Sequence, residues 1–283
     1  MFLTEVRVQV PGSTSNIGPG FDCLGIALAI YNLITITRSG SISPPHPMAD
    51  ESAAQFFSTA GMEPFPFGWS ISGEVPISRG LGSSVTLRYG VLLGLNEMCG
   101  RPLNREELFR ICAEQEGHPD NAGAAAFGGF FVCNPRGIWF RFEVEPELAF
   151  VLLIPSTEIQ TAEARQVLPE VVSLKAAAAN LANACAITAA FATRQYEELP
   201  GCFEDHFHQR QRAHLVPGLF EVIEAGTRAG ALGGFLSGSG STIACLVWRA
   251  NVGSVAAAMT AAWGKDPVKL LVVEADNAGA HVV

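Results

Sequence analysis

The sharpest chemical signal in the chain is Gly80-Leu81-Gly82-Ser83-Ser84. It follows an expected strand at 69–75 and opens an apolar helical run from about Ser84 to Met98, stopped by Gly100. Gly80 and Gly82 tolerate positive φ and let the backbone come close to a ligand. Ser83 and Ser84 then fall at a helix start, where unpaired N–H groups and the positive end of the helix dipole favour an anion. Their hydroxyls can bond phosphate oxygens or a magnesium ion. Neither G-x-x-x-x-G-K-[ST] nor G-x-G-x-x-G occurs, so this is not a Walker A loop or a dinucleotide fingerprint. An ordinary turn with a serine N-cap has the same composition, and other residues must decide between the two.

Three more constellations carry polar chemistry. Residues 13–22, STSNIGPGFD, set hydroxyls, an amide and a carboxylate among turn formers directly after a strand; a capped polar turn would look similar. Residues 114–121, EQEGHPDN, crowd acid, imidazole and amide at a helix end, which a solvated terminus also allows. Residues 233–242, GGFLSGSGST, form a second glycine-rich turn leading into a strand. His206 and His208 lie two apart in what reads as a helix, so they do not share a face as a metal pair would, and they read as structural.

The elements that must position these residues alternate between strand and helix. Residues 6–10 and 33–37 alternate in polarity as half-buried strands do. Residues 39–67, rich in Ser, Pro and Gly, read as a loop with one short helix near 52–61. Asn104 with Glu107 signals the N-cap of a helix running to about Gln115. Residues 130–133 and 137–144 read as paired strands about a turn at 134–137, and 149–154 as a strand buried on both faces. The second half holds an alanine-rich helix at 176–193, expected to be tightly packed and buried, and not a membrane span. Helices at 201–213 and 218–230, a strand at 242–248, a final helix and a strand at 270–275 complete it. With no linker or repeat in sight, two domains are expected to meet softly near 148: 1–148 with the phosphate loop, and 149–283.

Bulk properties narrow the partners. With 48% hydrophobic and 16% charged residues, the chain suits a soluble globular protein rather than a disordered one. A net charge of −9 argues against nucleic acid and against an anionic membrane surface. Seven scattered cysteines without a C-x-x-C pair argue against a disulfide framework or zinc site and for a reducing, cytoplasmic setting. The first residues lack the charged-then-apolar pattern of a signal peptide.

The ordered set of motifs resembles the GHMP kinases. Their N-terminal P-x-[SA]-[SA]-N-[LI]-G-P-G-F-D, central P-x-x-x-G-L-G-S-S and C-terminal S-G-x-G-x-T segments match 11–22, 76–84 and 237–242 here. Within that superfamily, E-G-H-P-D-N at 116–121, T-A-E-A-R at 161–165 followed by Leu168-Pro169, and Arg212 followed by L-V-P-G at 215–218 are similar to the homoserine kinase branch. The resemblance runs from residue 6 to about 248. It implies an α+β fold, with an N-terminal domain like domain 2 of ribosomal protein S5, a C-terminal ferredoxin-like domain, and ATP between them. The implied activity is ATP-dependent phosphorylation of the side-chain hydroxyl of L-homoserine, within threonine biosynthesis. Other GHMP small-molecule kinases acting on threonine, mevalonate or a similar alcohol, and a non-catalytic relative, are the alternatives. Homodimers are common in the family.

The resemblance also implies roles. Pro76, Arg79, Gly80, Leu81, Gly82, Ser83 and Ser84 would hold the ATP phosphates, with Gly238 and Gly240 closing the site from the other domain. Ser84 and Glu116 would hold Mg²⁺, with Glu114 as the alternative to Glu116. Asn16, Asp22, His118, Asp120, Thr161, Arg165 and Arg212 would line the amino-acid pocket, carboxylates taking the ammonium and arginine the carboxylate. Ser84, Glu116, Asn121 and Arg212 are the expected catalytic set. Some relatives place an aspartate base near position 121; Asn121 cannot serve so, and is expected to orient the substrate hydroxyl. The chain departs from the family at Ser241, where proline is usual, at Arg88, where small residues are usual, and at Val85-Thr86.

Overall fold

The computed structural model describes residues 3–38, 45–264 and 267–283. The first half comprises β1 (Glu5–Asn16), β2 (Gly20–Thr37), α1 (Pro47–Ala60), β3 (Gly68–Gly73), α2 (Ser83–Met98), α3 (Arg105–Glu116), α4 (Asp120–Phe127), β4 (Phe130–Cys133) and β5 (Trp139–Phe142). The second comprises β6 (Leu148–Pro155), α5 (Thr161–Gln166), α6 (Leu174–Thr193), α7 (Gln209–Arg212), α8 (Leu219–Arg228), β7 (Gly233–Leu236), β8 (Ile243–Trp248), α9 (Val252–Trp263), β9 (Val268–Val273) and β10 (His281–Val282).

The long strand β2 is the hub of the first sheet, ordered β10-β1-β2-β4-β5 with β3 also on β2. Near Pro11/Gly12 the β1–β2 register shifts, and the shift swaps the two faces of β2. Ile34 and Ile36 face the helices α1–α3, whereas Ile26, Leu28 and Ile30 belong to a separate core shared with the second sheet. The second sheet is antiparallel, ordered β7-β8-β6-β9. With α8 and α9 its chain order is βαββαβ, the ferredoxin-like arrangement. The result is four layers: helices, sheet, sheet, helices. In β6, Phe150, Leu152 and Ile154 point to the first sheet and Ala149, Val151 and Leu153 to α8 and α9. That is why its sequence is a continuous apolar run, as expected.

Most expected elements are present, among them the capping box of α3, where Asn104 accepts from Glu107 N while the Glu107 carboxylate accepts from Asn104 N. Others need correction. Residues 13–16 are not a turn but the continuation of β1, paired with β2. The region 45–67 holds a helix five residues longer at its start than expected, because Pro47 occupies its first turn; residues 39–44 of the expected loop lie outside those described. Four elements were missed: α4, α5, β7 and β10. The expected helix at 201–213 is only α7, preceded by turns held by the Asp205 carboxylate, which accepts from the backbone N–H of Phe207, His208 and Gln209.

The alanine-rich helix α6 is the largest correction. Its 20 residues have a mean hydropathy of 1.3 in the most apolar window, yet only 22% of that window is buried. Ile187, Ala190 and Phe191 anchor it, with Phe191 stacked on Phe130 at 4.2 Å. Leu174 and Leu181 face outward at 87% and 67% exposure. The chain's last residues return to the first sheet, where β10 pairs with β1 and Asp276 accepts from Tyr31 Oη at 2.9 Å.

Candidate active site

Three polar segments interlock at the junction of the two sheets. After the register shift, Ser13 and Ser15 turn toward α4: Ser13 Oγ donates to Asn121 Oδ1 at 2.8 Å, and Asn121 Nδ2 donates to Ser15 Oγ at 2.9 Å. Thr14 Oγ1 meets Ser237 Oγ at 2.8 Å, Ser237 Oγ donates to Gly80 O at 2.6 Å, and Asn16 Nδ2 donates to Gly238 O at 2.9 Å. Backbone bonds add to this, from Ser13 N to Leu81 O, Gly238 N to Ser15 O and Thr242 N to Arg79 O. The residues 13–16 therefore serve mainly as a splice between the two glycine-rich loops.

Both glycines of the central loop are required where they stand. Gly80 and Gly82 have φ of 70° and 71°. A Cβ on Gly80 would lie 2.0 Å from Ser237 O, and one on Gly82 would lie 2.2 Å from Ser13 Oγ. Gly82 is the N-cap of the 16-residue helix α2, so the free N–H groups at its start are presented to the cleft beside Ser83 and Ser84.

The loop forms the floor of a cleft of about 340 Å³, within the usual range of small-molecule sites. Beside the loop, Ser84 Oγ donates to Glu116 Oε2 at 2.8 Å while Arg88 Nε donates to Glu116 Oε1 at 2.9 Å. Glu116 lines the cleft; Glu114 is exposed and does not. Ser84 and Glu116 offer hard oxygen donors in contact with each other beside an anion-binding helix start, a set that suits Mg²⁺.

At one end of the cleft, two carboxylates face two guanidinium groups. Asp22 and Arg165 form a two-bond pair, at 2.8 and 3.1 Å, with about a third of each side chain exposed. Asp120 Oδ1 lies 2.6 Å from His118 Nδ1. Burial acts to lower the His118 pKa, but the Asp120 charge and hydrogen bond, with Asp22 and Glu116 behind, outweigh it and the net shift is upward. Arg212 is almost wholly buried, donating to Ala164 O and Gly238 O at 2.9 and 3.1 Å. Burial, with the like charge of Arg165, pulls its pKa down to about 10, so it stays charged at neutral pH. His208, whose pKa burial lowers, meets Gly18 O at 2.9 Å and Arg212 Nη1 at 3.3 Å. A neutral ring donating from Nε2 and accepting at Nδ1 fits both, the structural role expected of it. Thr161, at the first turn of α5, completes this end.

Elsewhere in the cleft, His46, Met48, Trp69, Ile71, Ile77 and Leu87 contribute a mainly apolar lining. The His46 and Trp69 rings meet edge-on at 5.5 Å, and His46 Nδ1 is buried without a hydrogen-bond partner among the described residues. Sequence reasoning did not single out these residues, which come from the approach to α1 (His46), α1 (Met48), β3 (Trp69 and Ile71), the loop after it (Ile77) and α2 (Leu87).

Of the residues expected in the site, the structure gathers Asn16, Asp22, Arg79, Gly80 to Ser84, Glu116, His118, Asp120, Asn121, Thr161, Arg165, Arg212 and Gly238 around one cleft. Three expectations for phosphate contacts change. Arg79 borders the cleft, but its guanidinium donates to Pro155 O at 3.0 Å and Ser156 O at 2.6 Å, latching the loop to the end of β6. Pro76 and Gly240 do not line the cleft; Gly240 backs Gly80, whose Cβ would meet its N at 2.9 Å.

Comparison with known proteins bears on this geometry. Residues 49–129 match the model of the GHMP kinases N terminal domain, and residues 187–265 that of the GHMP kinases C terminal. The homoserine kinase of Caldicellulosiruptor bescii is 34% identical, over 98% of this chain and 96% of its own length. That of Moorella thermoacetica is 36% identical, over 98% and 99%. The solved structure of homoserine kinase from Cytophaga hutchinsonii superposes with a TM-score of 0.91 at 23% identity, covering 100% of this chain and 98% of that one, which speaks to fold.

Proposed function

Because the chain belongs to the GHMP kinases, with homoserine kinases as relatives over its whole length, we propose that it transfers the γ-phosphoryl group of ATP to the side-chain hydroxyl of L-homoserine. The product is O-phospho-L-homoserine, an intermediate of threonine biosynthesis. One observation carries the choice of substrate: beyond the phosphate loop, Asp22 and Asp120 stand opposite Arg165 and Arg212. An amino-acid zwitterion needs both signs of charge at one end of its pocket; mevalonate, which has a carboxylate and no ammonium, needs only one.

The cleft supplies the rest by position. The loop N–H groups and the start of α2 receive the phosphates, and the apolar wall at His46, Met48 and Trp69 receives the nucleobase. Ser84 and Glu116 would hold Mg²⁺, which bound there would neutralise phosphate charge. Arg165 takes the substrate carboxylate, and Asp22 the ammonium, each exchanging its present partner for the substrate. Asn121 holds its amide through Ser13 and Ser15, so it is rigidly placed to orient the hydroxyl that attacks. An amide is not a base at neutral pH, and transfer proceeds without one at that position. Catalysis then rests on alignment and on charge stabilisation of the phosphoryl group, with Arg212 the buried cation nearest the third loop. A cytoplasmic homodimer is part of the proposal, the compartment being supported by seven free thiols.

A coupled ADP-release assay across homoserine, threonine, serine and mevalonate tests it. Highest kcat/KM on homoserine is expected, and activity confined to mevalonate would overturn the assignment.

A further inference from the structure

Arg88 stands one helical turn beyond Ser84 on α2, on the same side of the helix. Its side chain is 10% exposed. It donates through Nε to Glu116 Oε1 at 2.9 Å and through Nη1 to Glu51 Oε2 at 2.6 Å, joining α2 to both α3 and α1. Glu116 is as buried as Arg88, at 11%, whereas Glu51 is 57% exposed. The closely coupled charges are therefore Arg88 and Glu116, and they cancel.

We propose that Arg88 is a positioning residue that keeps the Glu116 carboxylate neutralised until nucleotide arrives, so that a divalent cation enters the site with the nucleotide rather than before it. This rests on the reading of Ser84 and Glu116 as the metal's holders. A cation approaching the free protein meets a carboxylate already paired with a guanidinium, and the repulsion of Arg88 offsets the attraction of Glu116. Nucleotide phosphates bring the missing negative charge. Arg88 also fixes the carboxylate's orientation: with Oε1 held by its Nε, Oε2 is the oxygen turned to Ser84.

The test compares Arg88→Gln, which keeps a hydrogen-bond donor without charge, and Arg88→Lys, which keeps charge, with the parent. Mn²⁺ binding is followed by electron paramagnetic resonance, without nucleotide and with ADP. Arg88→Gln is expected to bind Mn²⁺ alone about tenfold more tightly than the parent, while kcat falls. Arg88→Lys should stay near the parent in metal affinity. Adding Glu116→Gln to Arg88→Gln should abolish the tightening. A residue that only braced the helices would give lower stability and weaker or unchanged Mn²⁺ binding, and that result overturns the proposal. Should Glu116→Gln alone leave Mn²⁺–ADP binding unchanged, the metal reading itself fails and the proposal with it. If Glu116→Gln weakens that binding but Arg88→Gln does not tighten Mn²⁺ alone, only the role of Arg88 falls.

Discussion

Replacing Arg165 with Met tests the reading of the substrate pocket most directly. Met keeps an unbranched, flexible stem similar to the aliphatic part of the arginine but lacks its guanidinium, which lies 5.5 Å from the centre of the Phe21 ring. What is lost is the planar fork. A charged hydrogen-bond pair to the substrate carboxylate contributes about 1.5–3 kcal/mol. Against this, the free protein must first give up the Arg165–Asp22 pair, and a pair this exposed is worth about 0–1 kcal/mol. The net loss is about 0.5–3 kcal/mol, or roughly two- to 150-fold in kcat/KM for homoserine. It should be seen as a raised KM for homoserine in the coupled ADP-release assay, with the KM for ATP unchanged. An unaltered homoserine KM, or equal rises for both substrates, would refute the placement of the amino acid at this end of the cleft.

Ser84→Ala and Glu116→Gln should each lower turnover and weaken its dependence on Mg²⁺ concentration; if neither does, the metal is not held there. Gly82→Ala forces a Cβ into positive φ and against Ser13 Oγ, so a loss of about 2–3 kcal/mol in chemical denaturation and a raised KM for ATP are expected. For His118 the folded pKa lies above the usual value, despite burial, because of Asp120. Its stabilising contribution is thus full below about pH 6.5 and is lost as pH rises through the folded value. The melting temperature of the parent should exceed that of His118→Gln by more at about pH 5.5 than at about pH 8.5; a gap that widens with pH contradicts the sign.

The sequence made the phosphate loop legible because two glycines between a strand and a helix leave few other geometries. It misled where residue type was taken for location. Alanine gives α6 its helicity and says nothing of burial, so a helix read as core lies at the surface. The short helix α4 was hidden by Pro119, which reads as a stop, although Asp120 in a first turn and the alanines after it were available as signals. Arg79, beside the glycines, looked like a phosphate ligand, but its guanidinium is held by carbonyls of its own loop and at the end of β6, the latter distant in sequence. The motif at 13–22 was assigned to ligand contact; half of it instead ties the two loops together through partners more than a hundred residues away.

The return of residues 274–283 to the first sheet has a consequence for how the chain is made. Asp276 O accepts from Gly129 N, Ala280 N donates to Ala125 O, and β10 closes the edge of β1. The first sheet therefore lacks its border until residues 274–283 have been made. A chain shortened to end at residue 273 would expose that edge to other chains, and should be rescued by supplying residues 274–283 in trans.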